Sequence, residues 1–158
     1  MSKALLVVDA QKDFMNTDGA LYVPDAMKIK KTIGNVIKFF RSRDIPVMFT
    51  QDCHDGSEPE MNTCGEVFPL HCMVGTIGQD NIDEAIPNDD EPVYTKQCYD
   101  VFDSKFGNPI IKQTLKDLGV TEIWMVGCAT DYCIKAAALG LHKLGVEVYI
   151  FEDAIRGG

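Results

Sequence analysis

Short apolar runs recur along the chain at ALLVV (residues 4–8), VMFT (47–50), PVYTK (92–96), EIWMV (122–126) and VEVYIF (146–151). Runs of this kind, continuous rather than alternating, suit strands buried on both faces of a parallel sheet. Between the first two, Ile29, Ile33, Val36, Ile37 and Phe40 recur at helical spacing with lysines and arginines on the other side, which predicts an amphipathic helix over residues 25–44. A short helix is expected after Gly78 and another from Ile110 to Leu118. The alanine-rich stretch CIKAAALGLHKL (133–144) predicts a further helix, with Thr130 as its N-cap. Residues 55–78 read as an irregular loop, and the acidic tract from Asn88 to Glu91 reads as a solvated turn. Strand and helix alternate throughout without repeats, so the predicted fold is α/β, a three-layer α/β/α sandwich around a mostly parallel sheet. With 158 residues and 46% apolar content, a single domain over 1–158 is expected.

Charge removes whole classes of partner. A net charge of −9 argues against nucleic acid and against an anionic membrane surface, both of which reward basic patches. No run is long enough to span a bilayer, and the opening MSKALLVVDA lacks the layout of a secretory signal, so a cytoplasmic location is predicted. Six cysteines, at 53, 64, 72, 98, 128 and 133, contain no CxxC pair. In a chain without secretory features they read as reduced thiols rather than a disulfide framework or a zinc ribbon.

In open parallel sheets, ligands bind beyond the carboxyl ends of the strands. That rule gathers Asp9 after the first run, Asp52 and His54 after the second, Lys96 at the end of the third and Cys133 just past the fourth. Cys133 follows Thr130 by three residues and so falls in the first helical turn, where N–H groups and the helix dipole favour a thiolate. A free thiol has a pKa of about 8.5, so the sulfur also needs a base, which Asp9 can supply, and a cation, which Lys96 can supply. Taken singly, these are an ordinary buried cysteine, a strand-end aspartate and a solvated lysine. Asp52, His54 and the distant His71 offer three ligands to divalent zinc, iron or manganese. Glu58, Glu60, Cys64 and Glu66 lie between them as candidates for a fourth. The same residue types also fit a polar loop with two satisfied histidines. Phe14, Phe68, Tyr99, Phe102 and Tyr132 flank these positions, either as walls of a pocket for a flat ring or as plain core.

With these residues in hand, the sequence resembles the nicotinamidase and isochorismatase-like family of cysteine hydrolases over essentially its whole length. LLVVDAQKDF (5–14) is similar to the segment that bears the family's catalytic aspartate, which falls on Asp9. VYTKQCYDVF resembles the lysine segment and assigns Lys96, while VGCATDYC (126–133) resembles the nucleophile turn and assigns Cys133. FTQDCHDG together with FPLHCMVGT is similar to the metal-binding part of the nicotinamidase branch, assigning Asp52, His54 and His71. The resemblance further implies a non-proline cis peptide between Cys128 and Ala129, an oxyanion hole made by the N–H groups of Ala129 and Cys133, and a homo-oligomer. The chain departs from the family pattern in three places. The family's additional ligand is a histidine or glutamate; counting back from His71 reaches Cys64, with Glu58 and Glu66 in competition. Phe68 stands where many nicotinamidases carry tryptophan, which keeps a flat wall but removes an N–H donor. Family members commonly continue into another helix and strand beyond Arg156-Gly157-Gly158, so the C-terminal edge is expected to be missing or replaced.

What the resemblance implies is metal-assisted hydrolysis of nicotinamide to nicotinate and ammonia, a step of NAD salvage, with zinc the foremost metal and iron or manganese as alternatives. One rival keeps the thiol centre and changes the substrate to an N-carbamoyl compound or another small amide; the Asp-x-His pair speaks against it. Isochorismate hydrolysis fits less well, since vinyl-ether chemistry needs no thiol. A rival of another class is a non-catalytic binding or scaffold member, which should have lost one of Asp9, Lys96 and Cys133; all three are present.

Overall fold

The computed structural model describes residues 2–55 and 68–157. Five strands, β1 (Ser2–Val8), β2 (Val47–Asp52), β3 (Val93–Lys96), β4 (Val120–Cys128) and β5 (Glu147–Arg156), form one sheet in the order β3-β2-β1-β4-β5. Every neighbouring pair is parallel. The central strand shows why the apolar runs are continuous: residues 4–8 are all fully buried. Leu5 and Val7 enter a core shared with Ile33, Ile37 and Phe40 of one helix, whereas Ala4, Leu6 and Val8 enter a second core on the opposite face. The first helix in that arrangement is α2 (Lys30–Ser42), which follows the four-residue α1 (Lys12–Met15). On the opposite face lie α3 (Ile110–Asp117), through Ile111 and Leu115, and α4 (Lys135–Lys143), through Ala137 and Leu141. The result is the three-layer sandwich, each fully buried aliphatic side chain contributing about 1.5–3 kcal/mol.

The chain runs outward from β1 through β2 to β3, then returns to lay β4 on the other side of β1. A crevice therefore opens beyond the carboxyl ends of β1 and β4, because the chain leaving β1 goes to one face of the sheet and the chain leaving β4 to the other. Close approach there needs glycine: Gly127 has φ +126°, and a Cβ on it would lie 2.0 Å from the carbonyl oxygen of Val8. The peptide that follows, between Cys128 and Ala129, is cis.

Several local expectations need correction. The helix expected from residue 25 begins as a tight 3₁₀ turn (Ala26–Ile29) after Asp25, which has a left-handed φ of 62°, and becomes α-helical only at Lys30. The short helix expected after Gly78 is two single 3₁₀ turns, Ile77–Gln79 and Asp83–Ala85. Thr130 does not cap α4: residues Thr130–Ile134 form a wide π-type turn, closed by the Ile134 N–H donating to the Ala129 carbonyl at 3.1 Å. β5 runs on to Arg156, because its pairing with β4 shifts between Met125↔Ile150 and Gly127↔Ile155 and leaves Glu152 and Asp153 exposed in between. No helix among the described residues is long and apolar enough to cross a membrane.

Candidate active site

Sheet register does much of the assembly. Asp52 and Lys96 are direct partners across β2 and β3, and the Lys96 ammonium bonds to Asp52 Oδ1 at 2.5 Å. The same Nζ donates to Asp9 Oδ2 at 2.8 Å and to the Cys98 carbonyl at 2.9 Å, and lies 3.4 Å from Cys133 Sγ. Ligand atoms of Asp9, Asp52 and Cys133 all lie within 4.8 Å of one another. Asp9 leaves β1 with a left-handed φ of 47°, a conformation that aspartate tolerates better than most residues. Its N–H donates to the Thr50 carbonyl at 3.1 Å, and the Thr50 hydroxyl donates back to Asp9 Oδ1 at 2.7 Å. Each carboxylate oxygen therefore has its own partner, and the rotamer is fixed. Cys133 comes from the π-type turn that leads into α4.

All four groups are buried, so their charges are set by one another. Burial disfavours the charged lysine, yet Asp52 and Asp9 reverse that and hold Lys96 firmly protonated. Burial likewise works against an ionised Asp52, but the Lys96 ammonium and hydrogen bonds from His54 and His71 keep its carboxyl well below the usual range. Asp9 is pushed the other way: burial raises it, Lys96 opposes, and the neighbouring Asp52 adds to the rise. The Cys133 thiol is raised by burial and by the Asp9 carboxylate. That corrects the expectation of a helix-stabilised thiolate: the resting sulfur carries its proton, in hydrogen-bonding contact with the carboxylate that can take it.

A second centre adjoins the first. Asp52, His54 and His71, all buried, present ligand atoms within 4.8 Å of one another. Asp52 Oδ2 lies 3.4 Å from His54 Nε2 and 3.8 Å from His71 Nε2, while its Oδ1 serves Lys96. His71 Nδ1 bonds to the Pro69 carbonyl at 2.8 Å, which leaves Nε2 facing the carboxylate. Two imidazole nitrogens and an ionised carboxylate suit a divalent ion such as zinc. The four candidates for a further ligand, Glu58, Glu60, Cys64 and Glu66, lie outside the described residues.

A cavity of about 230 Å³ touches both centres, lined by Asp52 and His71 on one side, Cys133 and Ala129 on another, and Phe14, Phe68, Tyr99 and Tyr132 around them. Phe68 stands edge-on to His71, Tyr99 and Tyr132. Phe102 is a correction. It does not line the cavity but packs in the core of the α3–α4 face, where a Cβ on Gly140 would come within 2.4 Å of its ring. Two contributions escaped the sequence reading. Leu21, Tyr22, Val23 and Pro24 form a further wall; their signal was an apolar cluster in an otherwise polar connection. Buried Gln11 clamps the main chain of Asp52, donating to its carbonyl at 2.8 Å and accepting from its N–H at 2.9 Å. No periodic pattern announces such a contact.

Comparison with known proteins gives this arrangement its relatives. The isochorismatase domain model matches residues 3–158. The nicotinamidase/pyrazinamidase of Mycobacterium tuberculosis is 30% identical over 98% of this chain and 87% of its own. The crystal structure of the pyrazinamidase of Pyrococcus horikoshii in complex with zinc superimposes with a TM-score of 0.87 at 32% identity, covering 99% of this chain and 87% of that one. That of the N-carbamoylsarcosine amidase from Thermoplasma acidophilum does so with a TM-score of 0.85 at 28% identity, over 100% and 86%. The chain belongs to the isochorismatase-like hydrolase family, on its nicotinamidase side.

Proposed function

We propose that the protein is a nicotinamidase, a metal-assisted cysteine amidohydrolase that converts nicotinamide to nicotinate and ammonia, with zinc as its metal. The observation that carries this reading is one small, ring-walled cavity touched by both the Cys133 thiol and the Asp52–His71 ligand pair. At about 230 Å³ it is below the ~300–1,000 Å³ of drug-sized pockets, a size for a single ring. Held by Asp52, His54 and His71, a zinc ion would supply a Lewis-acidic contact for the pyridine nitrogen. As Cys133 sulfur adds to the carboxamide carbon, its proton passes to Asp9, and the carbonyl π electrons move to an oxygen received by the N–H groups of Ala129 and Cys133. Negative charge passes from Asp9 through the sulfur to the carbonyl oxygen during that step, and Lys96, which touches both Asp9 and Cys133, stays beside the path of the proton. Asp9 then returns the proton to nitrogen and ammonia leaves. Water attacks the thioester with Asp9 again taking a proton, the C–S bond breaks, Asp9 hands that proton to the leaving sulfur to restore the thiol, and the acid departs as nicotinate after losing its proton to solvent.

The structural likeness to an N-carbamoylsarcosine amidase raises the question of a substrate bearing its own carboxylate. Among the described lining residues there is no lysine or arginine to receive it, Asp52 would repel it, and the charge of nearby Lys96 is already met by two carboxylates. A neutral aromatic amide suits the site better. Ammonia release should be measured for nicotinamide, N-carbamoylsarcosine and a small aliphatic amide, using chelated protein with and without added zinc. Nicotinamide should stand clear and depend on the metal; metal-independent preference for the carbamoyl compound would overturn the reading.

A further inference from the structure

Asp13 belongs to α1, next to the cavity residue Phe14, and has no part in the chemistry above. Its carboxylate nevertheless joins two distant stretches of chain. Oδ1 accepts from the Ala20 N–H at 3.1 Å, and Oδ2 accepts from the Cys72 N–H at 2.7 Å; the Asp13 carbonyl accepts from the Leu21 N–H at 3.1 Å. The first stretch leads directly into the wall of Leu21 to Pro24.

The second is the backbone of the candidate metal ligands. Cys72 is bonded covalently to His71, and its carbonyl accepts from the His54 N–H at 3.0 Å. One residue thus touches both histidines through the main chain. It also holds a left-handed φ of 47°, a conformation that a residue with a side chain keeps only when its surroundings fix it. Space for the carboxylate is provided by glycine: a Cβ on Gly78 would lie 2.2 Å from Asp13 Oδ2. The chemistry calls for aspartate, since two N–H donors need two acceptors. An asparagine would turn an NH₂ group towards one of them.

We propose that Asp13 is a positioning residue that sets the substrate wall and the His54–His71 pair as one unit, so that metal affinity and substrate fit depend on it together while the thiol centre does not. This rests on the metal reading given above. The test compares wild type, Asp13→Asn, Gly78→Ala, which presses on the same carboxylate, His71→Ala, and Leu115→Ala in the distant core as a control for lost stability. Each is titrated with zinc against a chromophoric chelator, melted, and alkylated with iodoacetamide. Asp13→Asn and Gly78→Ala should bind zinc about 10- to 100-fold more weakly. At saturating zinc they should raise KM for nicotinamide more than they lower kcat, with the Cys133 alkylation rate unchanged. Leu115→Ala should melt earlier and bind zinc normally. Wild-type zinc affinity in both Asp13→Asn and Gly78→Ala, or a loss no greater than that of Leu115→Ala, overturns this inference alone. Zinc binding that survives His71→Ala overturns the metal reading itself and takes the inference with it.

Discussion

The two ends of the cavity are built by different means. At the thiol end, Asp9 and Lys96 are residues at strand exits, and one buried ammonium contacts two carboxylates and the sulfur. At the metal end only Asp52 belongs to a strand; His54 and His71 stand on irregular chain, His54 held by its N–H donating to the Cys72 carbonyl and His71 by its ring Nδ1 bonded to the Pro69 carbonyl. Strand ends place Asp9 and Lys96, the π-type turn brings the sulfur to them, and charge then locks the group. The second relies on scattered polar contacts, and so it should be the softer end, easier to perturb without unfolding the protein.

That contrast can be broken most sharply at Lys96. Lys96→Met leaves two buried carboxylates without a cation, which should cost about 3–5 kcal/mol of stability and abolish ammonia release; denaturant titration and a turnover assay check both. Asp9→Asn should lower turnover by about 10²- to 10⁴-fold and slow alkylation of Cys133 while zinc binding persists. Unchanged alkylation would remove Asp9 as the thiol's base. Thr50→Val removes the hydroxyl that pins Asp9 Oδ1 and should lower kcat about tenfold with little change in KM. Thr50→Ser should restore most of it, and a change confined to KM would move Thr50 to the substrate side of the comparison.

The smallest effect is one of pH. Asp9 acts as base only when ionised, and burial raises its pKa, so activity should fall with decreasing pH already above the ordinary aspartate value of about 3.9. Asp52 is shifted down by Lys96 and the two histidines, so its contribution to stability is complete above that ordinary value and is lost only as pH falls through its lower folded value. A raised Asp9 takes up its proton in the folded state before the unfolded chain does, which adds stability as pH falls. Acid inactivation should therefore be reversible and precede unfolding, as paired activity and melting profiles would reveal; inactivation that coincides with melting would contradict the assignment.

The same contrast explains what was legible in the sequence. The strands could be read because a sheet covered on both faces demands continuous apolar runs, and residues 4–8 are buried throughout. Asp9, Asp52 and Lys96 followed from the rule about strand ends. Contacts made by irregular chain left no periodic trace, so Gln11, Asp13, Thr50 and the wall of Leu21 to Pro24 escaped. Phe102 misled because an aromatic near a site looks the same in sequence whether it faces the cavity or a glycine such as Gly140 on a neighbouring helix. The end of β5 misled because Glu152 and Asp153 look like a terminus, whereas they fill an irregularity and pairing resumes at Ile155. The π-type turn at Cys133 was hidden behind a plausible N-cap, and the sign of the thiol's shift depends on burial beside Asp9, which sequence does not report.

The central claim is that sulfur 133 takes the acyl group of an aromatic amide. Rapid acid quench of zinc-loaded protein with nicotinamide, followed by peptide mass spectrometry, tests it directly. A nicotinoyl thioester on the peptide that carries Cys133, absent from Cys133→Ala, is the predicted result. Ammonia release that persists in Cys133→Ala, or an adduct on another residue, would contradict it.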